Sequence, residues 1–305
     1  MPDPAASIEL FDLALPHGIT LSCRAAGPRD APVIVLLHGF PEAAFVWDDV
    51  MAALGGRFRC VAPNLRGYER SSAPKEVEAY LPKLLVADVA ALIEQLGAPV
   101  ELLVAHDWGG ALAWSLAAQR PQLLKRLMIV NSPHPAVFLR ELRDSPRQQA
   151  ASAYMHFLCR PDAEALLARN DFERLWSFFI NNGATDPRHP GGGWLTEPVR
   201  QRYREVWRHG LTGPLNYYRA SPLKPPIPQN DAVRRITLAK EAVTVQVPTL
   251  VLWGEADTAL PPSLLDGLAD YLPQGRIVRV PGATHWIVHE QPQRLVREIE
   301  GWLTG

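Results

Sequence analysis

The stretch Val104-Ala-His-Asp-Trp-Gly-Gly-Ala111 decides how this chain reads. It begins inside a short apolar run at residues 100–105, the pattern of a strand buried on both faces. A helix is expected directly after it, over residues 108–119. A side chain raised on a tight strand-to-helix turn needs small neighbours, because the two arms of the turn approach closely. Ala105, Gly109 and Gly110 meet that need around Asp107. Asp107 is therefore a candidate nucleophile, with its carboxylate at a helix N-terminus where partial positive charge favours it. Taken alone, an Asp at a helix start is an N-cap. Its companions change that reading.

Working outward, the same strand–helix rhythm continues on both sides. Upstream, residues 8–13, 19–26, 32–38 and 59–62 read as strands. Leu81, Leu85, Val89, Leu92, Ile93 and Leu96 then recur at helical spacing until Gly97 ends the pattern. Residues 127–130 are a further buried-strand run. Alternation of this kind implies a mostly parallel sheet with helices on both faces and right-handed crossovers. The rhythm breaks from about residue 135 to 242, where helix-like segments are interrupted at Pro187, at 190–193 and at 222–228. It resumes with strands at 247–253 and 277–280, a helix over 264–271 and a closing helix over 291–303. The expected organisation is an α/β core of residues 1–135 and 243–305, with a helical insertion at 136–242.

Composition narrows the function. The 305 residues carry 31 basic and 32 acidic side chains, with no long run of either sign. That balance points away from nucleic acid and anionic membranes, and toward a small neutral substrate. No segment approaches the ~18 uninterrupted apolar residues of a membrane span. The start, MPDPAASIELFDL, does not read as a secretory signal, so a cytoplasmic protein is expected. Cys23, Cys60 and Cys159 are too few and too scattered for a disulfide framework or a zinc site. Neither metal nor cofactor is expected, and a monomer or homodimer fits equally well.

Asp107 has two companions far downstream. Asp257 lies just past the strand at 247–253, and His285 just past the strand at 277–280. Both fall at strand C-terminal ends, the edge where open α/β sheets hold their ligands. Nucleophile, acid and His also follow one another in the order this architecture uses. His38-Gly-Phe-Pro41 follows the strand at 32–38, so the N–H of Phe40 and that of Trp108 are candidates for an oxyanion hole.

His38-Gly-Phe-Pro-Glu42, Asn64-Leu-Arg-Gly-Tyr68, His106-Asp-Trp-Gly-Gly110, Asp257 and Gly282…His285-Trp286 together resemble the epoxide hydrolases of the α/β-hydrolase fold. The resemblance covers essentially the whole chain. It implies an eight-stranded, mostly parallel sheet flanked by helices, with a helical cap inserted after the sixth strand. It further implies two cap tyrosines that hydrogen-bond an epoxide oxygen. Tyr154, in Ala153-Tyr-Met-His-Phe157, matches the first; Tyr218, in Leu215-Asn-Tyr-Tyr-Arg219, matches the second, with Tyr217 as its rival. Phe40, Trp108 and Trp286 are the implied substrate contacts. Haloalkane and fluoroacetate dehalogenases share the Asp nucleophile. However, Phe40 stands where the haloalkane type carries a second halide donor, and Trp108 where the fluoroacetate type carries Arg. Asn131 stands where some relatives carry their acid, leaving Asp257 for that role. His106 reads as a brace for the elbow, and His156 as close enough to Tyr154 to reach the pocket. The remaining alternative is a hydrolase-fold protein that only senses a ligand.

The chemistry implied is covalent. Attack by Asp107 on an epoxide carbon leaves an ester, which water can cleave, whereas attack by Ser would leave a stable ether. A small, largely apolar epoxide and water are then the only partners needed.

Overall fold

The apolar runs become the centre of a single eight-stranded sheet in the computed structural model, which describes residues 7–189 and 191–304. Pro190, Gly305 and the first six residues of the N-terminal stretch read as lacking a secretory signal lie outside the described residues. In chain order the strands are β1 Glu9–Ala14, β2 Thr20–Ala26, β3 Val33–Leu37, β4 Arg59–Pro63, β5 Leu102–His106, β6 Leu127–Val130, β7 Thr249–Gly254 and β8 Gly275–Val280. Their spatial order is β1-β2-β4-β3-β5-β6-β7-β8. β1 and β2 join antiparallel, and every pairing from β4 to β8 is parallel.

Strand alternation divides the core between the two sheet faces. Ile34, Leu36, Leu102 and Val104 point to one face, and Val35, Leu37, Leu103 and Ala105 to the other. All eight are fully buried, which is why these strands read as continuous apolar runs. Each buried aliphatic side chain of this kind contributes about 1.5–3 kcal/mol.

The helices are α1 Asp48–Leu54, α2 Pro82–Gln95, α3 Asp107–Gln119, then α4 Pro135–Asp144, α5 Pro146–Ala151, α6 Tyr154–Leu158, α7 Ala163–Ile180, α8 Glu197–Arg208, α9 Thr212–Ala220 and α10 Lys240–Val243, and finally α11 Ile287–Glu290 and α12 Pro292–Thr304. From α4 to α10 the chain forms no named strand, and this helical stretch sits between β6 and β7. Its buried aromatics, Trp176, Phe179 and Trp207, share one apolar cluster with Ile34 and Leu36 of the sheet. α7 is broken at Arg169–Phe172, where four residues leave helical geometry. The helix expected over 264–271 is instead two short 3-10 turns, Pro262–Leu265 and Leu268–Tyr271, separated by Gly267 in the left-handed region. The apolar spacing there was real, but the glycine breaks the backbone between the turns.

β3 and β5 are neighbours, and the chain leaves β3 toward β4 on one side but leaves β5 toward β6 on the other. Such a switch point opens a crevice at the strand C-terminal ends. The segments that leave β3 and β5 there begin with His38-Gly-Phe40 and Asp107. Cys23 and Cys60 are buried elsewhere in the sheet, and burial pushes both thiols up to about 12, which makes them inert. No helix of the described residues is long and apolar enough to cross a membrane.

Candidate active site

Asp107 opens α3 with φ +49°, a left-handed conformation that a non-glycine residue holds at a cost of about 1–3 kcal/mol. The turn closes so tightly that a Cβ on Gly109 would lie 2.6 Å from the His38 carbonyl oxygen, and one on Gly110 2.3 Å from the Ser132 Cβ. Small residues are therefore required by contact at both positions. The N–H of Gly109 donates to the His38 carbonyl at 3.0 Å. The Ser132 hydroxyl donates to the Asp107 carbonyl at 2.6 Å, pinning the strained residue from behind.

The Asp107 carboxylate is held at both oxygens. Its Oδ1 accepts from the N–H of Phe40 at 2.8 Å. Its Oδ2 lies 3.6 Å from His285 Nε2, within ion-pair range but longer than a hydrogen bond. Trp108 is the second residue of α3, so its N–H has no carbonyl four residues back within the helix. The Phe40–Pro41 peptide is cis. His38 fixes this loop, its Nδ1–H donating to the Gly39 carbonyl while its Nε2 accepts from the N–H of Leu65. Burial lowers the His38 imidazole to about 4, as a neutral bridging ring requires.

His285 Nδ1 donates to Asp257 Oδ2 at 2.7 Å. The other oxygen, Asp257 Oδ1, accepts from the N–H groups of Ala259 and Leu260 at 2.9 and 2.8 Å. Burial pulls the His285 imidazolium down, but the charge and hydrogen bond of Asp257, then the charges of Asp107 and Glu42, outweigh it and raise the group to about 9. The sequence separates these three side chains by up to 178 positions (285 minus 107), and the sheet edge brings them together.

Tyr154 at the start of α6 and Tyr218 on α9 face each other with ring centroids 6.1 Å apart. Tyr218 packs edge-on against Phe40 and Trp108, both at 5.1 Å. Burial, reinforced by the Asp107 carboxylate, raises both phenols above their ordinary value. The Tyr217 ring lines the same cleft and packs edge-on to Trp108 at 5.5 Å, but its hydroxyl is engaged elsewhere, donating to the Arg66 carbonyl at 3.0 Å.

Asp107, Tyr154 and Tyr218 line two cavities at once, so the site is a cleft with two limbs. One limb, about 240 Å³, is walled by Leu112, Phe138, Met155, Leu223, Ile236 and Leu238. The other, about 320 Å³, is more polar and runs past His285, Asp257, Thr258, Asn181 and Asn182, with Phe40 and Trp286 on its wall. Phe178, from the helical stretch between β6 and β7, also lines the cleft. Phe179 and Trp207 are buried within that stretch, Trp176 packs tilted against Trp207, and Trp194 stacks on His289. His156 is not among the residues that line either limb.

Several contributors escaped sequence reasoning. Glu42 is completely buried beneath the site and is met by His106 Nδ1 at 3.0 Å, His289 Nε2 at 2.9 Å and the Tyr203 hydroxyl at 3.2 Å. Burial alone would raise its carboxyl, yet the two histidines hold it well below the usual carboxylate range. His106 spends its other nitrogen on the His285 carbonyl at 2.9 Å, so the elbow and the histidine loop share one buried brace. Asn131, at φ +40°, donates to Asp257 Oδ2 at 2.8 Å and accepts from the N–H of Gly254. Among the described residues, no group of three or more His, Cys, Asp or Glu is placed to hold a metal ion.

Comparison with known proteins places the fold and the family. A family model for the alpha/beta hydrolase fold matches residues 32–292. The AB hydrolase superfamily protein YfhM of Bacillus subtilis is 35% identical over 280 residues, covering 90% of this chain and 91% of its own. Epoxide hydrolase 4 of Mus musculus is 31% identical, covering 95% of this chain and 78% of its own. Among solved structures, the epoxide hydrolase of Bacillus megaterium superposes with a TM-score of 0.87 at 30% identity, over 97% of this chain and 100% of that one. An epoxide hydrolase structure from hot-environment metagenomes reaches 0.83 at 36% identity, over 98% of this chain and 99% of that one. The chain belongs to the α/β-hydrolase fold family, among the relatives named epoxide hydrolases.

Proposed function

We propose that this protein hydrolyses epoxides to vicinal diols through a covalent ester on Asp107, with residues 136–242 acting as a cap over the core. The observation that carries this reading is the placement of Tyr154 and Tyr218 across the cleft from the Asp107 carboxylate. A nucleophile on one wall and two O–H donors on the other suit an electrophile whose leaving oxygen stays attached to the carbon skeleton. A halide would find no equivalent cradle, since Phe40 offers an apolar ring where a halide donor would stand.

In the first step an Asp107 oxygen attacks one epoxide carbon and the carbon–oxygen bond of the ring breaks. The alkoxide that forms takes a proton from the tyrosine pair, leaving a tyrosinate and a hydroxyalkyl ester. In the second step His285, oriented through Nδ1 by Asp257, takes a proton from water. The hydroxide adds to the ester carbonyl carbon, and the N–H groups of Phe40 and Trp108 hold the oxyanion. Collapse breaks the bond between the carbonyl carbon and the alkoxy oxygen, and the proton carried in by the hydroxide passes from the Asp107 carboxyl to that oxygen, which releases the diol and restores the carboxylate. The proton on His285 returns to the tyrosinate, so epoxide and water are consumed with no cofactor.

The two limbs assign the substrate's ends. Leu112, Phe138, Leu223, Ile236 and Leu238 take an apolar substituent, and the His285 limb admits water and releases the diol. Incubation with styrene oxide, a haloalkane and fluoroacetate tests the reading. Diol formation from the oxide is expected; halide release without diol would overturn it. One turnover in ¹⁸O-water should label the peptide carrying Asp107, and unlabelled peptide would reject the ester.

A further inference from the structure

The segment Asn64-Leu-Arg-Gly-Tyr68 follows β4, away from the reacting atoms, and the mechanism leaves it without a task. It meets the helix α9 that carries Tyr218. Gly67, at φ +88°, touches Gly213 so closely that a Cβ on Gly213 would lie 2.4 Å from the Gly67 Cα. A Cβ on Gly67 would in turn lie 2.8 Å from the Gly213 Cα. One turn further along α9, the Tyr217 hydroxyl donates to the Arg66 carbonyl at 3.0 Å, with its ring edge-on to Tyr68 at 5.5 Å. The carbonyl it meets belongs to a residue that cannot drift. The Arg66 guanidinium grips the buried Asp88 of α2 through two hydrogen bonds of 2.7 and 2.6 Å and donates a third to the Ala79 carbonyl.

We propose that this segment is a seat for α9 that aims the Tyr218 hydroxyl, with Tyr217 and the Gly67–Gly213 contact as its positioning elements. The inference rests on the epoxide-opening role of Tyr218. Tyr217 and Tyr218 are adjacent on one short helix and point in different directions. Anchoring the first therefore fixes the rotation of the helix about its axis, and so the direction of the second. The glycine pair fixes how near the helix approaches the elbow. Tyr217 is then the reason Tyr218 is preorganised, rather than a spare donor.

Because Tyr218 serves ring opening alone, faults in the seat must slow ester formation and leave ester hydrolysis untouched. Rapid-mixing single turnovers of styrene oxide, quenched and read by intact mass, separate the two steps. Tyr217→Phe keeps the ring and is expected to slow ester formation about tenfold. Gly213→Ala pushes the helix outward and is expected to slow it up to about a hundredfold, the scale of a misplacement near 1 Å. Hydrolysis of the preformed ester should change less than about twofold. The decisive readout is a double-mutant cycle. In a Tyr218→Phe background, Tyr217→Phe should add nothing to the loss in ester formation, because it acts through the hydroxyl already removed. Additive losses, equal slowing of both steps, or an unaffected Tyr217→Phe would overturn the seat. Should Gly213→Ala fail to fold, the cycle with Tyr217→Phe decides alone. A wild-type protein that forms no ester with epoxides would instead overturn the epoxide reading, and with it the step the seat serves.

Discussion

Replacing Asp257 with Asn should do more than delete a charge, and the hydrogen bonds around it say how much more. Asp257 Oδ1 accepts from two backbone N–H groups, of Ala259 and Leu260. The amide oxygen of an Asn must therefore stay at that position, and its NH₂ must take the place of Oδ2. That place now faces two donors, His285 Nδ1 and Asn131 Nδ2, at 2.7 and 2.8 Å. Asn131 cannot turn its own amide to help, because its oxygen accepts from the Gly254 N–H. His285 can respond only by moving its proton to Nε2, the nitrogen that has to take a proton from water. Loss of a charge-assisted hydrogen bond alone amounts to about 1.5–3 kcal/mol, or roughly 10- to 150-fold in rate. A reversed tautomer extends the loss toward about 10⁴-fold. Ester formation needs no base and should fall far less. With excess enzyme and styrene oxide, the Asp257→Asn protein should gain the mass of one epoxide and keep it for many wild-type turnover times. Equal slowing of both steps, or hydrolysis within a factor of a few of wild type, would refute the argument.

Other expectations follow from the same site. Tyr154→Phe and Tyr218→Phe should each slow ring opening by about 10²–10³-fold, the scale of one preorganised donor to a developing oxyanion, and the double variant should form no measurable ester by intact mass. Glu42→Gln removes a buried carboxylate that His106, His289 and Tyr203 all face; it should cost about 3–5 kcal/mol in denaturant unfolding, without placing any group of its own on the substrate. His285 has a folded value of about 9 against an ordinary 6.5. The stability it contributes is complete below about pH 6.5 and is lost as pH rises through 9, so Tm should fall across that window in the wild type and less steeply in His285→Gln.

That Asp107, Asp257 and His285 come together was legible because each sits at the end of an apolar strand run, and strand ends are marked in sequence. The elbow was legible because close approach leaves its mark as Ala105, Gly109 and Gly110. The choice between Tyr217 and Tyr218 was not, because adjacent residues share every local signal and differ only in which partner lies 151 positions away (217 minus 66), at Arg66. Glu42 looked like the end of a loop motif; its weight comes from His106 and His289, which reach it from opposite ends of the chain. Asn131 was read as a lost acid, whereas it still holds the remaining one. The run at 222–228 reads as a proline interruption, yet Leu223 within it and Ile236 and Leu238 beyond it wall the apolar limb. Pattern-based reading misses it because a wall built of loop residues has no period.

The charges of the site also explain why one covalent event can change the role of every group around it. In the resting state the Asp107 carboxylate adds to Asp257 in lifting His285, against burial, to about 9, and it adds to burial in raising Tyr154 and Tyr218. At neutral pH the imidazole is then a poor base, and the phenols hold their protons where an epoxide oxygen needs donors. Esterification turns that carboxylate into a neutral carbonyl. The support it gave to the imidazolium disappears, so His285 moves toward the basic form that water activation requires. The phenols lose a repelling charge at the moment when an alkoxide needs their protons. A serine, neutral before attack, would withdraw no charge of this kind. On the proposed mechanism, the Asp at the elbow is thus both the nucleophile and the charge whose removal prepares the second step.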